Sequence, residues 1–143
     1  MNVDAILRTK GTDVATTRPD ATLADVAQVL SEKKIGALVA SADGATVDGI
    51  VSERDIVRKI AEHGAAALNM SIGDAMTRDV VTCTRKDSLQ DLMSTMSGRR
   101  IRHLPVVEDG QLCGMVSIGD VVKLRLEEVE SEAEALRGFI TGG

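Results

Sequence analysis

Two segments of this 143-residue chain carry the residue types and spacing that can hold an anion beside a diol: Gly49-Ile50-Val51-Ser52-Glu53-Arg54-Asp55 and Gly114-Met115-Val116-Ser117-Ile118-Gly119-Asp120. Each runs glycine, two apolar residues, serine, two variable positions, aspartate. A helix that opens at the serine, directly after a strand, presents backbone N–H groups with no intrahelical partner, and such an N-terminus is a natural seat for phosphate. An ionised aspartate only accepts hydrogen bonds, which suits the two hydroxyls of a ribose, whereas the serine hydroxyl and Arg54 suit phosphate oxygens. The same spacing also has a purely structural reading as a capping box, in which serine accepts from the third helical N–H and aspartate is favoured by the helix dipole. Thr22 with Asp25 and Ser88 with Asp91 repeat the spacing and read as caps.

Other chemistries lack parts. His63 and His103 are far apart in sequence, and no Cys-His or paired-carboxylate constellation accompanies them, so metal ligation and general acid–base catalysis are not assembled and the chain reads as a binding module, not an enzyme. His63, next to Gly64, reads as an exposed surface residue; His103 either contacts phosphate or covers a strand edge. Cys83 and Cys113 lack the close pairing of a zinc site and read as buried spectators. The net charge of −5 argues against a general affinity for nucleic acid or anionic membrane, and the absence of Trp and Tyr, with Phe139 the one Phe, removes the stacking platforms of single-strand binders. No window approaches a membrane span, and residues 1–10 lack the basic end and apolar run of a signal peptide, which points to the cytoplasm.

The elements that must position the two motifs are written twice. Residues 14–44 align with 80–110 and, after a one-residue gap, 49–60 with 114–125, with about a third of the aligned positions identical. Leu23 matches Leu89, Asp25 Asp91, Ile35 Ile101, Leu38 Leu104, and Asp43-Gly44 matches Asp109-Gly110. In each copy a short strand (14–16; 80–83) leads to a capped helix with an i, i+3, i+4, i+7 apolar stripe: Leu23, Val26, Ala27 and Leu30, or Leu89, Leu92, Met93 and Met96. Two strands then flank Asp-Gly, a hairpin signal (35–40 and 47–51; 101–107 and 112–116), and a second helix opens at Ser52 or Ser117. The unit is β-α-β-β-α. One unit alone buries little, whereas two packed sheet to sheet about a pseudo-twofold axis bury both apolar faces and leave a pair of clefts at the joint. Residues 61–71, rich in Ala, read as a connector. The expected organisation is a mixed α/β (α+β) fold with a first repeat and its lead-in helix over 1–65, a second repeat over 66–128 and a helical extension over 129–143.

The duplicated order, the two Gly-x-x-Ser-x-x-Asp segments, Ile35-Gly36-Ala37-Leu38-Val39 and Arg102-His103-Leu104-Pro105-Val106-Val107 resemble the tandem cystathionine-β-synthase (CBS) domain pair, the Bateman module. The resemblance covers roughly Asp4 to Glu128. It implies that the aspartates hold ribose hydroxyls, that the serines lie by phosphate, and that adenine slots between the strand that opens a repeat and the first hairpin strand. Carried over by position, one cleft would use Ser52, Arg54, Asp55, Ile35, Gly36 and Ala37 with backbone near Gly11 and Asp13. The other would use Ser117, Asp120, Ile101, Arg102 and His103 with backbone near Thr77, Asp79 and Val80. The copies differ at Arg54 versus Gly119 and at Gly36-Ala37 versus Arg102-His103, so the clefts are expected to be unequal. The implied role is regulatory: binding of AMP, ADP, ATP or NAD that is passed to an effector protein. The alternative is a structural adaptor whose clefts are vestigial and whose work is dimerisation.

Beyond the second motif, Val122, Leu126, Val129, Ala133, Leu136 and Ile140 recur in steps of four and three amid Glu127, Glu128, Glu130, Glu132 and Glu134, a heptad seam. Two accounts fit it: a terminal helix packed back on its own domain, or a seam for a second copy or another protein. The resemblance implies a homodimer as the simplest assembly.

Overall fold

The structure, a computed structural model, describes residues 1–140. Helix α1 (Val3–Lys10) is followed by β1 (Thr16–Thr17), α2 (Leu23–Lys33), β2 (Ala37–Ala40), β3 (Gly49–Ser52) and α3 (Glu53–His63). After 3-10 turns at Gly64–Asn69 and Ile72–Asp74 come α4 (Leu89–Arg99), β4 (His103–Glu108), β5 (Gln111–Ser117) and α5 (Ile118–Ile140). The fold is mixed α/β, with two small sheets and a long C-terminal helix, as the duplicated pattern predicts.

Reciprocal caps start the helices where the sequence places them. Thr22 Oγ1 accepts from the Asp25 N–H and Asp25 Oδ2 from the Thr22 N–H, both at 3.2 Å, and Ser88 with Asp91 does the same at 3.1 and 3.3 Å. Behind the caps, Leu23, Val26 and Leu30 bury one face of α2, and Leu89, Leu92 and Met96 the matching face of α4.

The sheets differ where the sequence copies differ. In the first, β1 runs parallel to β2, and β2 antiparallel to β3. In the second, β4 and β5 form the hairpin, and the strand expected over 80–83 shrinks to a single parallel bridge, Cys83 to Val106. Pro105 explains this. In the first repeat the Val39 N–H donates to the Ala15 carbonyl at 3.3 Å; the equivalent residue of the second repeat is Pro105, which has no N–H to offer Val81. The flanking bonds survive in both, Ser41 N to Thr17 O at 2.8 Å and Val107 N to Cys83 O at 2.9 Å. The connector is also more ordered than a linker: α3 reaches His63, and Ala67 is buried in the first core.

Packing exchanges the lead-ins. Val3, Ile6 and Leu7 of α1 enter the core of the second repeat with Leu89, Leu92, Leu104, Val106 and Val116. The Val3 and Asp4 N–H groups donate to the carbonyls of Asp87 and Arg85, and the Arg85 guanidinium reaches Asp4 at 2.9 Å. Reciprocally, Ile72, Ala75 and Met76 enter the core of the first repeat, and Thr77 exchanges two backbone bonds with Ile50 at 2.9 and 3.0 Å. Sequence order thus assigns α1 to the first repeat, while its burial is in the second. This crossing also explains the first glycine of each motif. A Cβ at Gly49 would meet Met76 Sδ at 2.5 Å and the Thr77 carbonyl oxygen at 3.0 Å, and one at Gly114 would meet Leu7 Cδ2 at 2.7 Å.

Candidate functional site: two clefts that cross the repeats

Both motifs sit at the end of a strand where a helix begins. Asp55 Oδ2 accepts from the Ser52 N–H at 2.9 Å and from its hydroxyl at 3.1 Å, while Oδ1 faces the Arg58 guanidinium at 3.6 Å. Among the described residues Asp55 is the one buried charged residue, only 6% exposed. Asp120 Oδ2 accepts from the Ser117 N–H at 2.9 Å and from the Lys10 ammonium at 2.7 Å; the same ammonium donates to the Met115 carbonyl at 2.8 Å. The capping reading of these segments is therefore correct as far as it goes. A cap alone, however, does not call for a cavity beside it.

Each motif opens on one. The first cleft, about 420 Å³, is lined by Ser52, Arg54 and Asp55 together with Thr77, Asp79, Val80, Ile101, Arg102 and His103. The second, about 850 Å³, is lined by Ser117 and Asp120 together with Asp13, Ile35, Gly36 and Ala37. Both volumes lie within the range of small-molecule sites. The grouping inferred from sequence, each motif with the hairpin strand of its own repeat, is corrected here: the motif of one repeat faces the opening residues of the other. The exchange of lead-ins is the physical reason, since it carries residues 77–80 onto the first motif's strand and Lys10 onto the second's. Gly11 lines neither cleft; it ends α1 at φ 96° with its N–H on the Leu7 carbonyl.

Gly36 and His103 line both clefts and form the wall between them, for a Cβ at Gly36 would stand 3.1 Å from His103 Cε1. Burial lowers the His103 pKa below its ordinary value, and Lys10 and Arg102 lower it further against the opposing pull of Glu53 and Asp120. Burial works against ionisation of Asp120, but the bonds from Lys10 and Ser117 outweigh it and hold that carboxyl below the usual range.

Sequence reasoning missed the basic rim. Arg58, Arg99 and Arg100 line the first cleft, and Lys10, Lys33 and Lys34 the second. A signal was present, because Lys33-Lys34 and Arg99-Arg100 occupy equivalent places in the two copies. Lys34 and Arg100 close their helices in the left-handed conformation, at φ 55° and 54°, where glycine is the usual residue. Together the groups of either cleft supply an acceptor for a diol, helix N–H groups and hydroxyl donors for an anion, and cations around it. Among the described residues no group of three His, Cys, Asp or Glu could hold a metal ion. Cys83 is buried, its thiol pushed up to about 12 chiefly by burial, and Cys113 is half-buried.

Comparison with known proteins gives one picture. The family profile "CBS domain" matches residues 4–62 and 72–127. A mitochondrial CBS domain-containing protein of Arabidopsis thaliana, CBSX3, is 37% identical over 128 residues, 87% of this chain and 62% of the relative's length. The crystal structure of the CBS-domain containing protein ATU1752 from Agrobacterium tumefaciens is 47% identical, covers 87% of this chain and 99% of that one, and superposes with a TM-score of 0.85. The CBS domain protein PAE2072 from Pyrobaculum aerophilum, solved in complex with AMP, is 26% identical over 84% of this chain and 89% of its own, with a TM-score of 0.74.

Proposed function

The chain belongs to the CBS-domain family as a tandem pair, and from that premise we propose that it is a regulatory module that binds an adenine nucleotide in its clefts and signals the occupancy to an effector protein. The observation that carries this reading is the crossed composition of the clefts. In the first, Asp55 and Ser52 of one repeat face Arg102, His103, Thr77, Asp79 and Val80 of the other. A nucleotide whose ribose sits on Asp55 and whose phosphate meets Ser52, Arg54 and the facing cations bridges the two repeats, so its binding energy favours one relative arrangement over another. That is the requirement for a ligand to act as a signal. The adenine would lie against Ile101 and Val80, where apolar side chains line the first cleft. The AMP complex of the Pyrobaculum relative supports the ligand class. AMP, ADP, ATP and NAD all contain the recognised parts, and the two unpaired cysteines agree with a cytoplasmic setting. The module acts as a homodimer.

The test is thermal melting against AMP, ADP, ATP, NAD and S-adenosylmethionine. A nucleotide at 100 times its dissociation constant adds about 2.7 kcal/mol, a shift of roughly 5–10 °C for a domain of this size. Asp55→Ala is expected to remove the first cleft's share and Asp120→Ala the second's. A flat response from the wild-type chain to all five would refute the nucleotide reading. A second reading, a dimerising adaptor, is favoured by one specific feature, the exposed apolar face of α5.

A further inference from the structure

Helix α5 has two unlike faces. Val121 and Leu124 are buried against the body of the second repeat, and Glu128, one turn on, meets the N-terminal ammonium at 3.4 Å. The opposite face is the heptad seam, and it is left open to solvent: Val122 is 50% exposed, Leu126 58%, Val129 44%, Leu136 61% and Ile140 79%. The account in which the seam packs back on its own domain is thereby set aside; the domain takes the other side of the helix. Past Glu128 the helix is exposed nearly all round. A helical segment that short is marginal in water unless its apolar face is covered.

The flanking positions indicate what covers it. With Val122, Val129 and Leu136 at d and Leu126, Ala133 and Ile140 at a, the edge positions are Lys123, Glu130 and Arg137 on one side and Arg125 and Glu132 on the other. Two copies side by side in parallel would set Arg125 against Glu130 of the second copy and Glu132 against its Arg137, each contact occurring twice and every one of opposite sign. All six apolar layers would then meet their equivalents. An antiparallel pairing can also match charges, Lys123 with Glu130 and Arg125 with Glu132, but it brings Leu136 onto Gly119 and leaves Ile140 without a facing layer. A partner unrelated in sequence has no reason to reproduce this self-complementarity. We propose that residues 122–140 join two copies of this chain as a parallel two-stranded coiled coil. This deepens the homodimer of the preceding reading and is independent of the nucleotide seat.

The test is light scattering and sedimentation of the full chain. The wild type is expected at twice the 15.1 kDa chain mass, and Leu126→Glu/Val129→Glu at the mass of one chain. Its thermal transition should persist, because both side chains are exposed. Arg125→Glu is expected to raise the dimer dissociation constant roughly tenfold, and adding Glu130→Arg to restore it. Oxidised Leu136→Cys should cross-link, since parallel pairing puts position 136 beside itself, whereas the antiparallel register separates the two copies by roughly 25 Å along the axis. A monomeric wild type, a Leu126→Glu/Val129→Glu variant that remains dimeric, or a Leu136→Cys variant that does not cross-link beyond the wild-type background would overturn the proposal. If the dimer behaves as stated while melting ignores nucleotides, only the nucleotide reading fails.

Discussion

Replacing Arg100 by glycine should make the protein more stable and its first cleft weaker, two effects of opposite sign from one substitution. Arg100 closes α4 at φ 54° and ψ 43°, and Lys34 closes α2 at φ 55° and ψ 46°. A residue with a Cβ pays roughly 1–2 kcal/mol in that conformation, while glycine brings back a few tenths to 1 kcal/mol of unfolded-state entropy. Arg100→Gly should therefore gain about 0.5–1 kcal/mol, a rise of about 2 °C in melting temperature. The bond that holds the position, Arg100 N–H to the Met96 carbonyl, does not involve the side chain. That side chain instead lines the first cleft, and a hydrogen bond to a charged group is worth about 1.5–3 kcal/mol, so an anionic nucleotide should bind roughly 10- to 100-fold more weakly. Melting of the apo protein and titration calorimetry with ADP read the two effects separately. Arg100→Ala is the control: it loses the affinity but keeps the strained backbone and so gains no stability. Were Arg100→Gly to gain stability without losing affinity, the guanidinium would not contact the ligand; were it to lose stability, the strain argument would be wrong.

Gly114→Ala should cost about 1–3 kcal/mol, because the added methyl would lie 2.7 Å from a Leu7 side chain that is itself only 2% exposed; urea midpoints measure it, and a neutral outcome would mean that α1 shifts freely on the second sheet. His103 gives a pH dependence. Its folded pKa lies below the ordinary 6.5, so the unfolded chain takes up the proton first; the stability associated with the neutral ring is complete above 6.5 and is lost as pH falls from 6.5 through the folded value. Denaturation midpoints at pH 7.5 and 5.5 should therefore differ less in His103→Gln than in the wild type, and parallel slopes would refute the assignment.

The periodic and capped elements were legible in the sequence because they are set by local rules: Thr22 with Asp25 and Ser88 with Asp91 start helices wherever they sit. The strand at 80–83 was misjudged because its pairing depends on a residue more than 20 positions away, Pro105, whose missing N–H no local pattern reveals. The basic rim went unread for a related reason, since Lys34 and Arg100 look like ordinary helix ends until their backbone angles and the clefts beyond them are known. For Lys10, the sequence shows only that the first copy's lead-in is four residues longer than the second's. The structure shows that the longer lead-in delivers an ammonium to Asp120 at 2.7 Å.

Those four residues bear on the inequality of the clefts. Asp55 and Asp120 are equivalent by sequence and both accept from their serine N–H at 2.9 Å, but only Asp120 is bonded to a cation carried in by the exchanged lead-in. On the proposed nucleotide reading a ribose at Asp120 would compete with Lys10, bonded at 2.7 Å, whereas one at Asp55 would meet a carboxylate whose cation, Arg58, stands off at 3.6 Å. The charge of Lys10 would not be lost to such a ligand, because Lys10 lines the second cleft and its ammonium could turn to a phosphate on leaving the carboxylate. Duplication thus produces two seats of one design, and the exchange of lead-ins is what separates them: on the nucleotide reading a sugar at the first would have to reach a buried carboxylate already bonded to Ser52, whereas one at the second would have to displace the Lys10 ammonium from the more exposed Asp120.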